Sequence, residues 1–156
     1  MQTLENFFID IHRNISEENL GKLPLSLQKG DILFFYGDLG AGKSTLIRTL
    51  LRNYFSDSDL IVRSPTYTYY QKYGKNIYHF DLYRVENPED LFLIGANDIL
   101  ENKENICLIE WPEILWESII PSKKISITQW DNGNRNIEII YPSKDWFLDH
   151  SKASIE

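Results

Sequence analysis

Ile32-Leu33-Phe34-Phe35-Tyr36, running into Gly37-Asp38-Leu39-Gly40-Ala41-Gly42-Lys43-Ser44, decides the fold. The first part is an unbroken apolar run, the pattern of a strand buried on both faces. The second part places four free residues between Gly37 and Gly42-Lys43-Ser44, the spacing of a phosphate-binding loop. Glycines let successive backbone N–H groups turn inward around phosphate oxygens. The Lys43 ammonium can reach the outer phosphates, and the Ser44 hydroxyl can take one position on Mg²⁺. Beyond the loop, Leu46, Ile47, Leu50, Leu51, Tyr54 and Phe55 recur at helical spacing, with Arg48, Arg52 and Asn53 outside the stripe. A helix starting here adds its positive N-terminal end. Strand, loop and helix together are the context in which the motif carries meaning.

Working outward, Phe7 to Ile11 reads as a strand, and Ser16 before Glu17 and Glu18 reads as a helix start limited by Pro24. After the loop helix, Ile61-Val62-Arg63 is predicted as a short strand and Ser64-Pro65-Thr66 as a break. Tyr67 to Tyr73 and Ile77 to Tyr83 alternate around Gly74-Lys75-Asn76, a hairpin signal. Their tyrosines read as hairpin packing rather than a base-stacking platform. Asn87-Pro88-Glu89-Asp90 starts a helix that Gly95 ends. Ile106-Cys107-Leu108-Ile109 is a second buried strand, with Cys107 a small core residue, and Trp111-Pro112 opens a short helical stretch. Asn102-Lys103-Glu104-Asn105 lacks the final acid of a guanine-reading motif and reads as a turn. A second hairpin turns at Asp131-Asn132-Gly133-Asn134. The expected fold is α/β, a P-loop NTPase-type mixed sheet, parallel plus antiparallel, flanked by helices. Residues 1–142 are expected to form one domain, with 143–156 a polar, partly disordered tail.

Composition narrows the function. The chain has 156 residues, 42% hydrophobic and 25% charged, as in soluble globular proteins. No apolar run reaches the length of a membrane span, no signal-peptide pattern opens the chain, and Cys107 has no disulfide partner in the chain. A cytoplasmic protein with no membrane partner is expected. The net charge of −7 disfavours a broad phosphate-backbone footprint, so any contact with RNA is expected to go through a protein partner.

A phosphate loop needs an acidic partner for its metal. Glu110 caps the buried strand 106–109, where open α/β sheets place ligand groups. Asp81 shares a strand face with His79 and Tyr83, opposite Tyr78, Phe80 and Leu82. Ion pairing with Arg84, or a plain surface charge, is the rival reading for Asp81, and a structural role is the leading reading for His79.

The phosphate loop, Ser64-Pro65-Thr66-Tyr67-Thr68, His79-Phe80-Asp81-Leu82-Tyr83-Arg84, Pro88-Glu89-Asp90-Leu91, Ile94-Gly95 and Glu110-Trp111-Pro112-Glu113 occur in that order. Together they resemble the bacterial TsaE (YjeE) family, with weaker agreement at Leu20-Gly21 and Gly133 to Arg135. The resemblance implies a small cytoplasmic ATPase that supports threonylcarbamoyladenosine formation beside the tRNA anticodon. It implies that the ATPase binds the TsaD–TsaB pair and sustains its turnover by an ATP/ADP cycle. It further implies that Gly40, Ala41, Gly42, Lys43, Ser44 and Thr45 hold phosphates and that Ser44 and Glu110 hold Mg²⁺. Asp81 would support hydrolysis with Lys43. Ser64 to Thr66 would sense the nucleotide, Trp111 would lie at or beside the site, and Ser16 would meet the adenine.

Two other classes share the loop: a small-molecule kinase and a non-hydrolysing nucleotide switch. Arginines are not clustered after Arg63; Arg84 and Arg135 stand isolated. Lys43 is then the only cation assigned to the phosphates, whereas an arginine supplied in trans is worth ~10³–10⁵ in rate in related chemistry. The chain alone is therefore expected to hydrolyse ATP well below ~1 s⁻¹ and to be stimulated by its partners.

Overall fold

The computed structural model describes residues 2–4, 7–38 and 40–142. Its strands are β1 (Gln2–Leu4), β2 (Phe7–Ile15), β3 (Ile32–Tyr36), β4 (Tyr70–Tyr73), β5 (Ile77–Asp81), β6 (Ile106–Glu110), β7 (Lys123–Gln129) and β8 (Arg135–Pro142). Its α-helices are α1 (Lys43–Phe55), α2 (Pro88–Leu93) and α3 (Ala96–Glu101), with 3-10 turns at Glu17–Lys22 and Pro112–Leu115. The strands form one sheet in the order β1-β2-β8-β7-β3-β6-β5-β4. Its centre, β7-β3-β6-β5, is parallel. The outer pairs β1–β2, β2–β8, β7–β8 and β4–β5 are antiparallel. The mixed sheet expected from two hairpins is the one observed.

Central strands read as continuous apolar runs because both faces are covered. Every residue of β6 is buried. Alternation sends Leu33, Phe35 and Leu108 into one core layer, where Leu46, Ile47, Leu50 and Leu51 of α1 meet them. It sends Phe34, Cys107 and Ile109 into the other, packed by Leu91, Ala96, Leu100 and Leu115. Cys107 is a core residue, and burial pushes its thiol up to about 12.

Register brings the functional end of the sheet together. Phe35 pairs with Glu110 across β3–β6, and Glu110 pairs with Asp81 across β6–β5. Three neighbouring strands therefore end at one level, and the phosphate loop leaves β3 at that edge, where open α/β sheets bind ligands.

Several local expectations are corrected. Residues 61–63 are not a strand, since the Arg63 N–H goes to the Tyr73 hydroxyl instead of a neighbouring backbone. The first hairpin begins at Tyr70, because Thr68 and Tyr69 close a turn onto the Pro65 carbonyl and Tyr69 takes φ 68°. The segment after Ser16 is a 3-10 turn. β2 runs on to Ile15, and β1 and α3 have no counterpart in the sequence reading. Gly95 ends α2 as expected and, with φ 78°, also caps the start of α3. Tyr54 turns outward from the α1 stripe and meets Phe55 edge-on at 5.1 Å. Asn102–Asn105 is a turn, closed by the Asn105 N–H on the Asn102 carbonyl. No helix among the described residues is long and apolar enough to cross a membrane. The tail, 143–156, lies outside the described residues.

Candidate functional site

The loop between β3 and α1 is turned by glycines. Gly42 caps α1 in the left-handed region at φ 101°, a conformation side chains rarely adopt. Lys43 then enters the first turn of α1 and folds back, its Nζ donating to the Gly37 carbonyl at 2.6 Å. The same ammonium lies 3.8 Å from the centre of the Trp111 ring. Burial lowers the Lys43 pKa, opposed by the charges of Glu110 and Asp81. Lys43 is thus a nearly buried cation held between a carbonyl, an indole and two acids.

Trp111 reaches this position through a strained backbone. It follows β6 directly, takes φ 55°, and meets the Tyr83 ring at 5.0 Å, tilted by 58°. Pro112 opens the 3-10 turn behind it, so the corner is fixed on both sides.

The two acids differ in their attachments. Glu110 is buried, and His79 Nε2 donates to its Oε2 at 2.7 Å. Its Oε1 has no hydrogen bond among the described residues. Asp81 has both oxygens engaged: the Tyr83 N–H donates to Oδ1 at 3.0 Å and the Thr66 hydroxyl to Oδ2 at 3.1 Å. Thr66 is in turn bonded to Ser64 at 2.7 Å, so the Ser64–Thr66 break is wired to Asp81. Asp81 is not paired with Arg84. The chain turns after β5, and Arg84 lies over the Tyr67 ring at 4.1 Å. His79 is buried with Glu110 as its partner, which fits the structural reading and adds a task, holding that carboxylate.

Lys43, Trp111, Glu110, Asp81, Thr66 and Ser64 line one cavity of about 280 Å³. Its loop side is Gly40, Gly42, Lys43, Ser44 and Thr45; its far side is Ser64, Thr66, Asp81, Glu110 and Trp111. Two expected residues do not line it with their side chains. Ser16 does not line the cavity; its hydroxyl accepts from the Asn19 amide at 3.0 Å. Ala41 is buried and lines a separate cleft of about 420 Å³ with Tyr36, Asp38, Ser126 and Thr128. The two share only Gly40. The larger cleft contains none of Lys43, Asp81 and Glu110, so the smaller one is the candidate site.

Arg135 also lines the cavity, the only arginine among the described residues that does, a placement the sequence reading did not assign. It is remote in sequence from every other lining residue, and the pairing of β8 with β7 and β2 brings it to the loop. A Cβ at Gly42 would displace its guanidinium, while the left-handed φ is what favours glycine there. The Gly133–Arg135 agreement with the family was the one signal for it in the sequence.

A magnesium ion would fit this donor set. The described residues hold no cluster of three or more His, Cys, Asp or Glu. Mg²⁺ needs none, because it keeps waters and substrate oxygens and takes one or two protein ligands. The Ser44 hydroxyl and the uncommitted oxygen of Glu110 would suffice.

The sequence model of the family described as "Threonylcarbamoyl adenosine biosynthesis protein TsaE" matches residues 12–137. A protein of Haemophilus influenzae named tRNA threonylcarbamoyladenosine biosynthesis protein TsaE is 44% identical over 123 residues, covering 76% of this chain and 75% of that one. A protein of the same name from Rickettsia conorii is 35% identical over 143 residues, covering 86% and 80%. Among solved structures, Bacillus subtilis YdiB superposes with a TM-score of 0.64 at 20% identity, covering 95% of each chain, a likeness of fold.

Proposed function

The chain belongs to the TsaE family, and from that premise we propose that it is a Mg²⁺-dependent, ATP-binding and ATP-hydrolysing protein. It would serve threonylcarbamoyladenosine biosynthesis in the cytoplasm, acting with the TsaD–TsaB protein pair. The observation that carries this reading is the single cavity in which Lys43, Ser44, Asp81 and Glu110 meet at the ends of parallel strands.

Each group has a role that its chemistry suits. Backbone N–H groups from Gly40 to Thr45 and the α1 N-terminus would cradle the phosphates. Lys43 would meet the outer phosphates. Ser44 and Glu110 would hold Mg²⁺, which would neutralise charge on the phosphate oxygens. Asp81, fixed by Thr66 and the Tyr83 N–H, would orient the attacking water. Thr66 would tie the Ser64–Thr66 segment to the state of that acid. Trp111 would relinquish Lys43 to an entering phosphate. Contact with tRNA would be indirect, as the acidic chain suggests.

The test is phosphate release from ATP by the purified chain, alone and with the TsaD–TsaB pair. Slow release that the pair stimulates, with the stimulation lost in Asp81→Asn, is expected. Fast release that the pair leaves unchanged would favour a self-sufficient enzyme. Release that requires a small hydroxyl acceptor would identify a kinase, and tight ATP binding with no release in either setting would identify a switch.

A further inference from the structure

We propose that Arg135 is the chain's own second cation on the nucleotide polyphosphate, held until then by a weak pairing with Glu17. This rests on the nucleotide reading above and adds to it a residue and its counter-ion.

Arg135 begins β8 and is only 6% exposed. Its Nε and Nη1 have no hydrogen-bond partner among the described residues. Its remaining attachment is Nη2 to Glu17 Oε1 at 3.9 Å, and the Glu17 side chain is 65% exposed. That is a long pairing with a solvated acid, which compensates a buried guanidinium poorly.

The surroundings add to the imbalance. The guanidinium abuts Gly42, the N-cap of α1, so a cation sits at the positive end of a helix. Lys43 is the next residue and lines the same cavity. Positive charge is disfavoured at a helix N-terminus, and two adjacent buried cations compound the cost. One ligand class relieves all of it. An anion with several oxygens in that cavity would receive the free Arg135 N–H groups, the Lys43 ammonium and the loop amides together. A guanidinium's planar fork suits phosphate oxygens better than an ammonium does. Glu17, on the exposed 3-10 turn, then becomes the group that the polyphosphate displaces.

The geometry also alters the expectation that a partner must supply the missing cation. Arg135 would supply one in cis, delivered by a hairpin rather than by a lid, and a partner's contribution to hydrolysis would come in addition.

The experiment is calorimetric titration of ATP, ADP, AMP and adenosine, with Mg²⁺, into the full chain and its Arg135→Gln, Arg135→Lys, Glu17→Gln and Lys43→Ala variants. Thermal melting without nucleotide checks folding. Arg135→Gln should lose ATP and ADP affinity by about 10- to 100-fold and leave adenosine unchanged, a split that a merely structural role would not produce. Arg135→Lys should fall in between. Glu17→Gln, on an exposed residue, should tighten ATP by about two- to fivefold. Wild-type ATP affinity in a folded Arg135→Gln, with Lys43→Ala impaired, would overturn the proposal and spare the nucleotide reading. Should Arg135→Gln not fold, unchanged ATP affinity in both Arg135→Lys and Glu17→Gln would overturn it equally. Wild-type affinity in Lys43→Ala as well would bring down the nucleotide reading itself.

Discussion

The parallel centre and the antiparallel wing contribute to the site in different ways. Strands β3, β5 and β6 deliver Lys43, Asp81 and Glu110 from their ends or just beyond, by local chain geometry. The wing of β1, β2 and β8 delivers one side chain, Arg135, by long-range register. The centre's contribution follows from short motifs, because a glycine loop or an acid capping an apolar strand carries its meaning in neighbouring residues. The wing's contribution depends on which residue of a hairpin comes to rest above Gly42. No local pattern encodes that.

The comparison can be broken first at the level of stability. Phe34 is fully buried in β3 and packs the layer away from α1. Phe34→Ala should cost about 3–5 kcal/mol in denaturant unfolding, the usual loss for a buried phenylalanine. A cost near that of a surface substitution would mean that the parallel centre is not the stabilising core.

Binding gives the next largest effect. Lys43→Ala should weaken ATP by about 100-fold, roughly 2.8 kcal/mol, while the fold persists because glycines make the turn. Unchanged affinity by calorimetry would remove the centre from the site.

The acids sharpen the division within the centre. Glu110→Gln should weaken Mg²⁺-dependent binding and hydrolysis together, each by about tenfold or more. Asp81→Asn should bind within a few-fold of wild type and hydrolyse at least about 100-fold more slowly. Equal binding losses in the two variants would show that their roles are divided wrongly.

Much of the centre was legible in the sequence. The run Ile32 to Tyr36, the loop, the α1 stripe apart from Tyr54, and both hairpins, the first starting later at Tyr70, follow from periodicity and turn chemistry. Ile61 to Arg63 misled because β-branched residues suit a strand, while pairing depends on a partner that the fold does not supply there. Tyr69 could not be foreseen at φ 68°, since a bulky residue in that region is set by tertiary packing. The Asp81–Arg84 pairing failed because adjacency in sequence does not survive the turn after β5; Thr66, remote in sequence, takes that place. The resemblance to the family named Trp111 at the site, but its position over the Lys43 ammonium emerges only from the folded corner after β6. Ser16, carried over onto a 3-10 turn, does not line the cavity, whereas its neighbour Glu17 touches Arg135.

The most direct test of the whole account is a crystal structure of the chain with a non-hydrolysable ATP analogue and Mg²⁺. The account predicts the outer phosphates in the cavity of about 280 Å³, between the Gly40–Thr45 loop and Arg135. It predicts the metal between Ser44 and Glu110, and Glu17 no longer the guanidinium's partner. Phosphates in the neighbouring cleft of Tyr36, Asp38, Ser126 and Thr128, with Lys43 still beneath Trp111, would contradict it.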